Sequence, residues 1–347
     1  MAVKLLSLNT IYKGEFKMKK KPFAFITSAA LLLTVMSGCA NQKETDEDVV
    51  KIGYSTSLCH APIHVAIENG YFEEEGLDYE AINIGGVITE AIGSGEVDAG
   101  FGLVGKFIQP LENGLPMKIT SGIHTGCTKL VVPNDSDIKS VEDLKGKKIG
   151  TPSLADSPTL IAKRSLAEAG IGVTADNMEV EFVVYSNNDL PIALQNGAID
   201  AFVTHDPVVS IAEKEYNLRV IINTTTDEKY KDEYCCISFV TTDLAENHPD
   251  LAAKYTRAVM KAAKWIEENP TETAQLQLDK NYVTGDLELN AAILDSYNFA
   301  PSVSGGYNAL QQSVTELQDI GIIRADTDAE ALIENSFAKF DDVEDTY

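Results

Sequence analysis

Four thiols, Cys59, Cys127, Cys235 and Cys236, together with three of the five histidines, His60, His124 and His205, carry most of the soft chemistry of this chain. Three fates are open to them. Cys59, His60, His124, Cys127 and His205 could share a soft metal ion or a metal chelate, since thiolate and imidazole are the donors such ions select. Cys59 and Cys127 could instead form a disulfide, provided their Cα atoms lie within about 7 Å. Cys235-Cys236 heads an apolar run to Val240 and could simply pack, because free cysteine is among the most buried residue types. Spacing does not choose between these fates. There is no CxxC, and the HxxxH pair His60 and His64 has Pro62 between its members, so the two rings need not share a helix face. No metal ligand set and no cofactor is assigned.

Other residues could hold a solute without chemistry. The stretch Thr151 to Pro158, with Ser153, Asp156 and Ser157, leads into a helix whose first N–H groups lack partners and whose dipole favours an anion. The alternative is an N-cap by Asp156 or Ser157 with Pro158 at the first helical position, and both can hold at once. Asp156 weakens the anion case, because its carboxylate would repel one. His205 could donate to a carboxylate, sulfonate or ring nitrogen while Asp206 caps the next helix. Tyr185, Phe101 and Tyr54 lie near strand ends, where they could stack on a planar solute or pack in the core.

The elements that must position these residues are written twice. Ile52-Gly53, Glu68-Asn69-Gly70 and Gly95-Glu96-Val97-Asp98-Ala99 return as Ile149-Gly150, Glu168-Ala169-Gly170 and Gly197-Ala198-Ile199-Asp200-Ala201, offset by 97 to 102 positions. A nearly constant offset across three landmarks predicts two copies of one βαβαβ unit. Strands alternating with helices predict parallel sheets covered on both faces. Cys235 to Thr241 is expected to return as a strand to the first lobe, and the sequence from His248 onward reads as helices packed on that lobe. In parallel α/β sheets a ligand sits beyond the carboxyl ends of the strands. That rule selects Ser57, Cys59, His60, Phe101, His124, Cys127, Ser153, Asp156, Ser157, Tyr185, Asn187, His205 and Asp206 as candidate binding residues.

Composition and the N-terminus bound the class. With 44% hydrophobic and 23% charged residues, 347 residues suffice for two packed lobes. A net charge of −25 argues against nucleic acid and anionic membrane as partners. Lys19-Lys20-Lys21 followed by an apolar stretch to Met36 reads as an export signal too short to span a bilayer. Met36-Ser37-Gly38-Cys39 resembles a bacterial lipobox, which makes Cys39 the expected lipidation site and residues 39–48 a polar tether. Lys13-Gly14-Glu15 can be encoded as a ribosome-binding sequence, so residues 1–17 are expected to be a non-translated extension before Met18, with the signal peptide at 18–38. From Val49 onward no segment is apolar for long enough to cross a membrane.

Lys51-Ile52-Gly53-Tyr54, Ala61-Pro62, Glu68-Asn69-Gly70-Tyr71-Phe72, Glu75-Gly76-Leu77, the Gly95 to Ala99 motif and Leu144-Lys145-Gly146-Lys147-Lys148-Ile149-Gly150 resemble the substrate-binding lipoproteins of ABC importers. The resemblance covers about residues 49 to 345 and is nearest the sulfonate, taurine, nitrate and thiamine-pyrimidine binding group. It implies an α/β, type II periplasmic-binding-protein fold, with 49–129 plus 237–347 forming one lobe and 130–236 the other. It further implies a monomer without catalytic residues that takes up a small solute and passes it to a permease with its ATPase subunit. A pyrimidine-synthesis enzyme of the same fold, or a soft-metal binding protein, are the alternatives.

Overall fold

The computed structural model describes residues 49–347, so the extension, signal peptide, Cys39 and tether expected at 1–48 lie outside the described residues. In chain order the first half is β1 (Val50–Tyr54), α1 (Ala61–Glu68), α2 (Tyr71–Glu74), β2 (Tyr79–Asn83), α3 (Ile88–Ser94), β3 (Ala99–Leu103), α4 (Val104–Glu112) and β4 (Met117–Thr125). The chain then enters a second sheet through β5 (Thr128–Pro133), β6 (Lys148–Thr151), α5 (Ser157–Glu168), the hairpin β7 and β8 (Val173–Thr174, Asn177–Met178), β9 (Glu181–Val184), α6 (Leu190–Gln195), β10 (Ala201–His205), α7 (Val208–Tyr216) and β11 (Leu218–Asn223). It returns through β12 (Tyr234–Thr241) and ends in α8 (Thr242–Asn247), α9 (Pro249–Glu268), α10 (Pro270–Asp279), α11 (Leu287–Ser296), α12 (Val303–Asp319) and α13 (Ala329–Asn335).

The two five-stranded sheets have the same order. One runs β2-β1-β3-β12-β4, and the other, taken from its far edge, runs β9-β6-β10-β5-β11. In each, three strands are parallel, as the repeat predicts. The expectation of wholly parallel sheets needs correction, because β12 runs antiparallel to β3 and β4, and β5 antiparallel to β10 and β11. These are the strands that arrive from the opposite sheet, so they enter from the reverse end. The crossings also shift the expected lobe boundaries: Thr128 pairs with His205 in the second sheet, while Tyr234 and Cys236 pair with β4 in the first.

The repeat persists because it solves the same backbone problem twice. Asp98 accepts the Lys51 N–H at 2.9 Å, and Asp200 accepts the Lys148 N–H at 2.8 Å, each tying the start of a central strand to the turn beside it. Gly95 and Gly197, at φ 73° and 69°, end the preceding helices in the left-handed region that glycine adopts without steric cost. Asp98→Ala is therefore expected to cost about 1–2 kcal/mol, the usual loss when a backbone donor loses its carboxylate partner. Chemical denaturation of the variant checks this, and an unchanged midpoint would refute the role.

Beneath the first sheet, α9 lays Tyr255, Val259 and Ala262 against Ile52, Ile63 and Val65. The buried Tyr255 hydroxyl donates to the Gly100 carbonyl at 2.6 Å, which keeps its polar end paired. The C-terminal helices thus pack on the first sheet and hold β1 and β3 in register, and those strands end at the site described next.

Candidate functional site

The carboxyl ends of β1 and β3 meet the loop before α5, the loop after β9 and the end of β10 around a cavity of about 230 Å³. Ser57, Cys59, His60 and Phe101 line it from the first half, and Asp156, Asn187 and His205 from the second. These seven predicted residues are brought together by two separate sheets. Phe101 sets its ring edge-on to His60, with centroids 5.1 Å apart, and so fixes that imidazole at the wall. Thr204 donates to the Asn187 Oδ1 at 2.6 Å, leaving the Asn187 amide nitrogen to serve as a donor.

The charges of the cavity are sparse. Burial and the nearby His64 hold His60 well below the usual histidine range, so it is neutral near pH 7. Its Nδ1 accepts the Ser55 N–H at 3.3 Å, which places the remaining proton on Nε2. His205 shifts the other way: burial opposes its charge, but Cys59, the Asp206 carbonyl and Asp156 outweigh that and raise it. Cys59 is lowered to about 7 by the Cys236 hydrogen bond, against burial and with help from His205. Among the described residues Lys106 is the one lysine or arginine lining the cavity, and its Nζ donates to the Gly86 carbonyl at 2.7 Å. Lys129 is engaged by Glu213 at 2.7 Å and Arg164 by Glu233 at 3.0 Å. A second, smaller cavity of about 50 Å³ borders Ser157, Arg164, Tyr230 and Cys235, and the ion pairs of Arg164 already satisfy its charge.

The remaining predicted residues lie outside this lining, and Asp156, which belongs to it, has a structural role as well. Asp156 caps α5 by accepting the Ser157 N–H at 2.9 Å, with Pro158 at the second helical position rather than the first. The hydroxyls of Thr151 and Thr159 bond each other, and Thr159 donates to the Ser153 carbonyl at 2.6 Å. Ser153 is consequently part of a closed turn rather than a cleft wall. Ser157 faces the smaller cavity. Tyr185 packs among Val131, Leu190 and Phe202 in the second core, the fate most aromatic residues share. Asp206 is 2% exposed and accepts the Ser210 N–H at 3.1 Å, the capping role expected of it. Sequence reasoning missed Ile84, Gly85, Gly86 and Ile88, which close one side of the cavity. Gly85 and Gly86 both have positive φ (56° and 100°), and α3 starts only at Ile88. The paired glycines themselves were the signal of a turn.

His124 and Cys127 sit behind the cavity. His124 is stacked on Tyr297, with centroids 5.1 Å apart and planes 3° from parallel. Cys127 meets Cys235 rather than Cys59, with Sγ atoms 3.3 Å apart. The Cys235 hydrogen bond pushes the Cys127 thiol up to about 12. Cys236 is fully buried, and its Sγ lies within 4.8 Å of the Cys235 Sγ and of a ring nitrogen of His124.

The profile of the NMT1/THI5-like family matches residues 57–273. The chain belongs to this family. A Bacillus subtilis protein named for aliphatic sulfonate binding is 24% identical over 317 residues, spanning 83% of this chain and 90% of its own. An Aspergillus parasiticus 4-amino-5-hydroxymethyl-2-methylpyrimidine phosphate synthase is 28% identical over 258 residues, or 70% of this chain and 72% of its own. The crystal structure of the periplasmic aliphatic sulphonate binding protein SsuA from Escherichia coli superposes with a TM-score of 0.68 at 17% identity, covering 86% of this chain and 94% of that one. The proteins similar to this chain thus include binders and a synthase, and its fold is the periplasmic-binding-protein fold that the resemblance implied. Among the described residues no helix is long and apolar enough to cross a membrane.

Proposed function

We propose that the protein is the solute-binding component of an ABC importer, which takes a small organic solute into the interlobe cavity and delivers it to a permease and its ATPase without a chemical step. The observation that carries this reading is the convergence of strand-end loops from two like sheets on one polar cavity, with the chain crossing between the sheets twice. Two connections leave hinge closure as the natural motion, and differential contact of a few kcal/mol suffices to shift open and closed populations. In this reading the two lobes are those expected from the sequence with their boundaries moved to the two crossings, the protein acts as a monomer, and acyl chains on Cys39 hold it at the extracytoplasmic face of the membrane. The lone lysine and the carboxylate of Asp156 favour a neutral, zwitterionic or heterocyclic solute over a simple anion.

Mass spectrometry of small molecules released from the purified protein, followed by thermal-shift titration with them, tests the reading. The solute is expected to raise the melting temperature and to be recovered unchanged. His205→Asn is expected to weaken its binding about tenfold or more while leaving the ligand-free melting temperature within a few degrees. The synthase relative supports a second reading, a pyrimidine-forming enzyme of this fold. Steady turnover of the bound molecule would favour that reading and sink the first.

A further inference from the structure

A second group of donors lies behind the cavity, at the place where both interlobe connections pass. One ring nitrogen of His124 and the Sγ atoms of Cys235 and Cys236 all lie within 4.8 Å of one another. The Cys235 Sγ is 3.5 Å from the His124 Nδ1 and 3.3 Å from the Cys127 Sγ. Donors bonded to one tetrahedral ion at about 2.0–2.3 Å sit about 3.3–3.8 Å apart, so small side-chain rotations would bring these onto a common centre.

The backbone is built for this meeting. Consecutive residues of a strand point to opposite faces, and Cys235 and Cys236 in a regular β12 would be separated by the sheet. The register of β12 against β4 slips between Tyr234 and Cys236 and again between Cys236 and Ile237, and both thiols thereby reach the same imidazole. His124 is fully buried, and among the described residues its Nε2 has no hydrogen-bond partner. Its Nδ1, which lies 3.5 Å from the Cys235 Sγ and 3.2 Å from the Thr125 carbonyl, is the nitrogen that faces the thiols, and it offers its lone pair when the ring proton sits on Nε2. No carboxylate belongs to the group, which disfavours calcium and magnesium.

We propose that His124, Cys127, Cys235 and Cys236 form a site for one thiophilic closed-shell divalent cation of the zinc or cadmium type, tying the two crossovers together. His124 belongs to β4, Cys127 to the link into β5, and Cys235 and Cys236 to the strand that returns. Each ligating thiol gives its proton to solvent, so two thiolates and the neutral imidazole make an uncharged centre with the ion, and a third thiolate leaves one negative charge. Cys59 shares the first core with Cys236 and also lines the cavity, so this group lies next to the cavity wall. The site stands whether or not the cavity takes an organic solute.

Cadmium(II) titration of the metal-free residue 49–347 portion carried in the full chain, under a thiol-free reductant, is the test. One ion per chain, an ultraviolet sulfur-to-cadmium charge-transfer band and release of two to three protons are expected. Cys235→Ser with Cys236→Ser should abolish the band, and His124→Gln should weaken binding at least tenfold while keeping it. Far-UV circular dichroism of the metal-free variants establishes that they fold. Failure of folded, reduced wild-type protein to take up stoichiometric cadmium overturns the site, as does a band that survives the double substitution. Calcium in place of cadmium is expected to give no uptake, and equal uptake of both ions counts against a thiolate site. A solute-dependent rise in melting temperature without cadmium uptake overturns the metal site and leaves the transport reading in place.

Discussion

Replacing Gly306 with alanine is expected to destabilise the protein by about 3 kcal/mol, whereas the same substitution at Gly93 is expected to stabilise it by about 0.5–1 kcal/mol. Both glycines lie in helices, so the opposite signs come from what a new methyl group meets. At Gly306, near the start of α12, a Cβ would stand 2.4 Å from the Gly122 nitrogen and 2.5 Å from the Ser121 carbonyl carbon. Those are backbone atoms of β4 and cannot rotate away. The contact is close because Gly122 and Ser302 exchange backbone hydrogen bonds of 2.8 and 2.9 Å, which pin the head of the helix to the strand. Relieving the clash means lifting α12, breaking those bonds and opening the core beneath it. At Gly93, in α3, nothing lies within 4 Å, and alanine only removes the entropy that glycine loses in a helix. Urea midpoints of the two variants, measured side by side, decide the matter, and a Gly306→Ala midpoint at or above wild type would show that the helix can move at little cost.

The repeat was legible because its residues are forced: Gly95 and Gly197 must turn left, and Asp98 and Asp200 must receive an orphan N–H. Any sequence folding this unit twice has to write them twice. Strand direction was not legible, since the apolar runs of β5 and β12 look the same whether they enter their sheets from one end or the other. The cavity followed from topology for Cys59, His60, Asp156, Asn187 and His205, because strand ends are encoded by the repeat itself. It failed for Ser153 and Tyr185, where local bonding and core packing absorbed groups that had looked free. The meeting of Cys235 with His124 and Cys127 was hidden for another reason. It depends on a slip in register, which a single sequence does not announce.

That slip gives the chain a rear wall of soft donors, while the front wall relies on histidines held neutral, and the second dependence has a measurable consequence. His64 is fully buried and stacked on Tyr282 at 3.9 Å with planes 8° apart. Its Nδ1 accepts from the Gln277 amide at 2.9 Å, and its Nε2 donates to the Ser55 carbonyl at 3.1 Å. Both bonds need the neutral ring, since a proton on Nδ1 would confront the Gln277 donor with another donor. Burial accordingly lowers its pKa to about 3, the Ser55 carbonyl only partly opposing. The unfolded chain takes up this proton near pH 6.5, so between about 6.5 and 3 it binds more protons than the native state. Stability must then fall as pH falls, at about 1.4 kcal/mol per unit for this one residue and about 2 kcal/mol by pH 5. His60, also held well below its usual value, adds a loss of the same sign. His205 is raised, so its contribution is complete below about pH 6.5 and is lost as pH rises through its folded value; it adds no slope in this window. Denaturation midpoints at pH 5 to 6.5 are expected to rise with pH, and His64→Gln to flatten that rise by one proton's worth. Equal slopes in wild type and variant would mean that His64 titrates normally, and the neutral pairing with Gln277 and Ser55 would have to be abandoned.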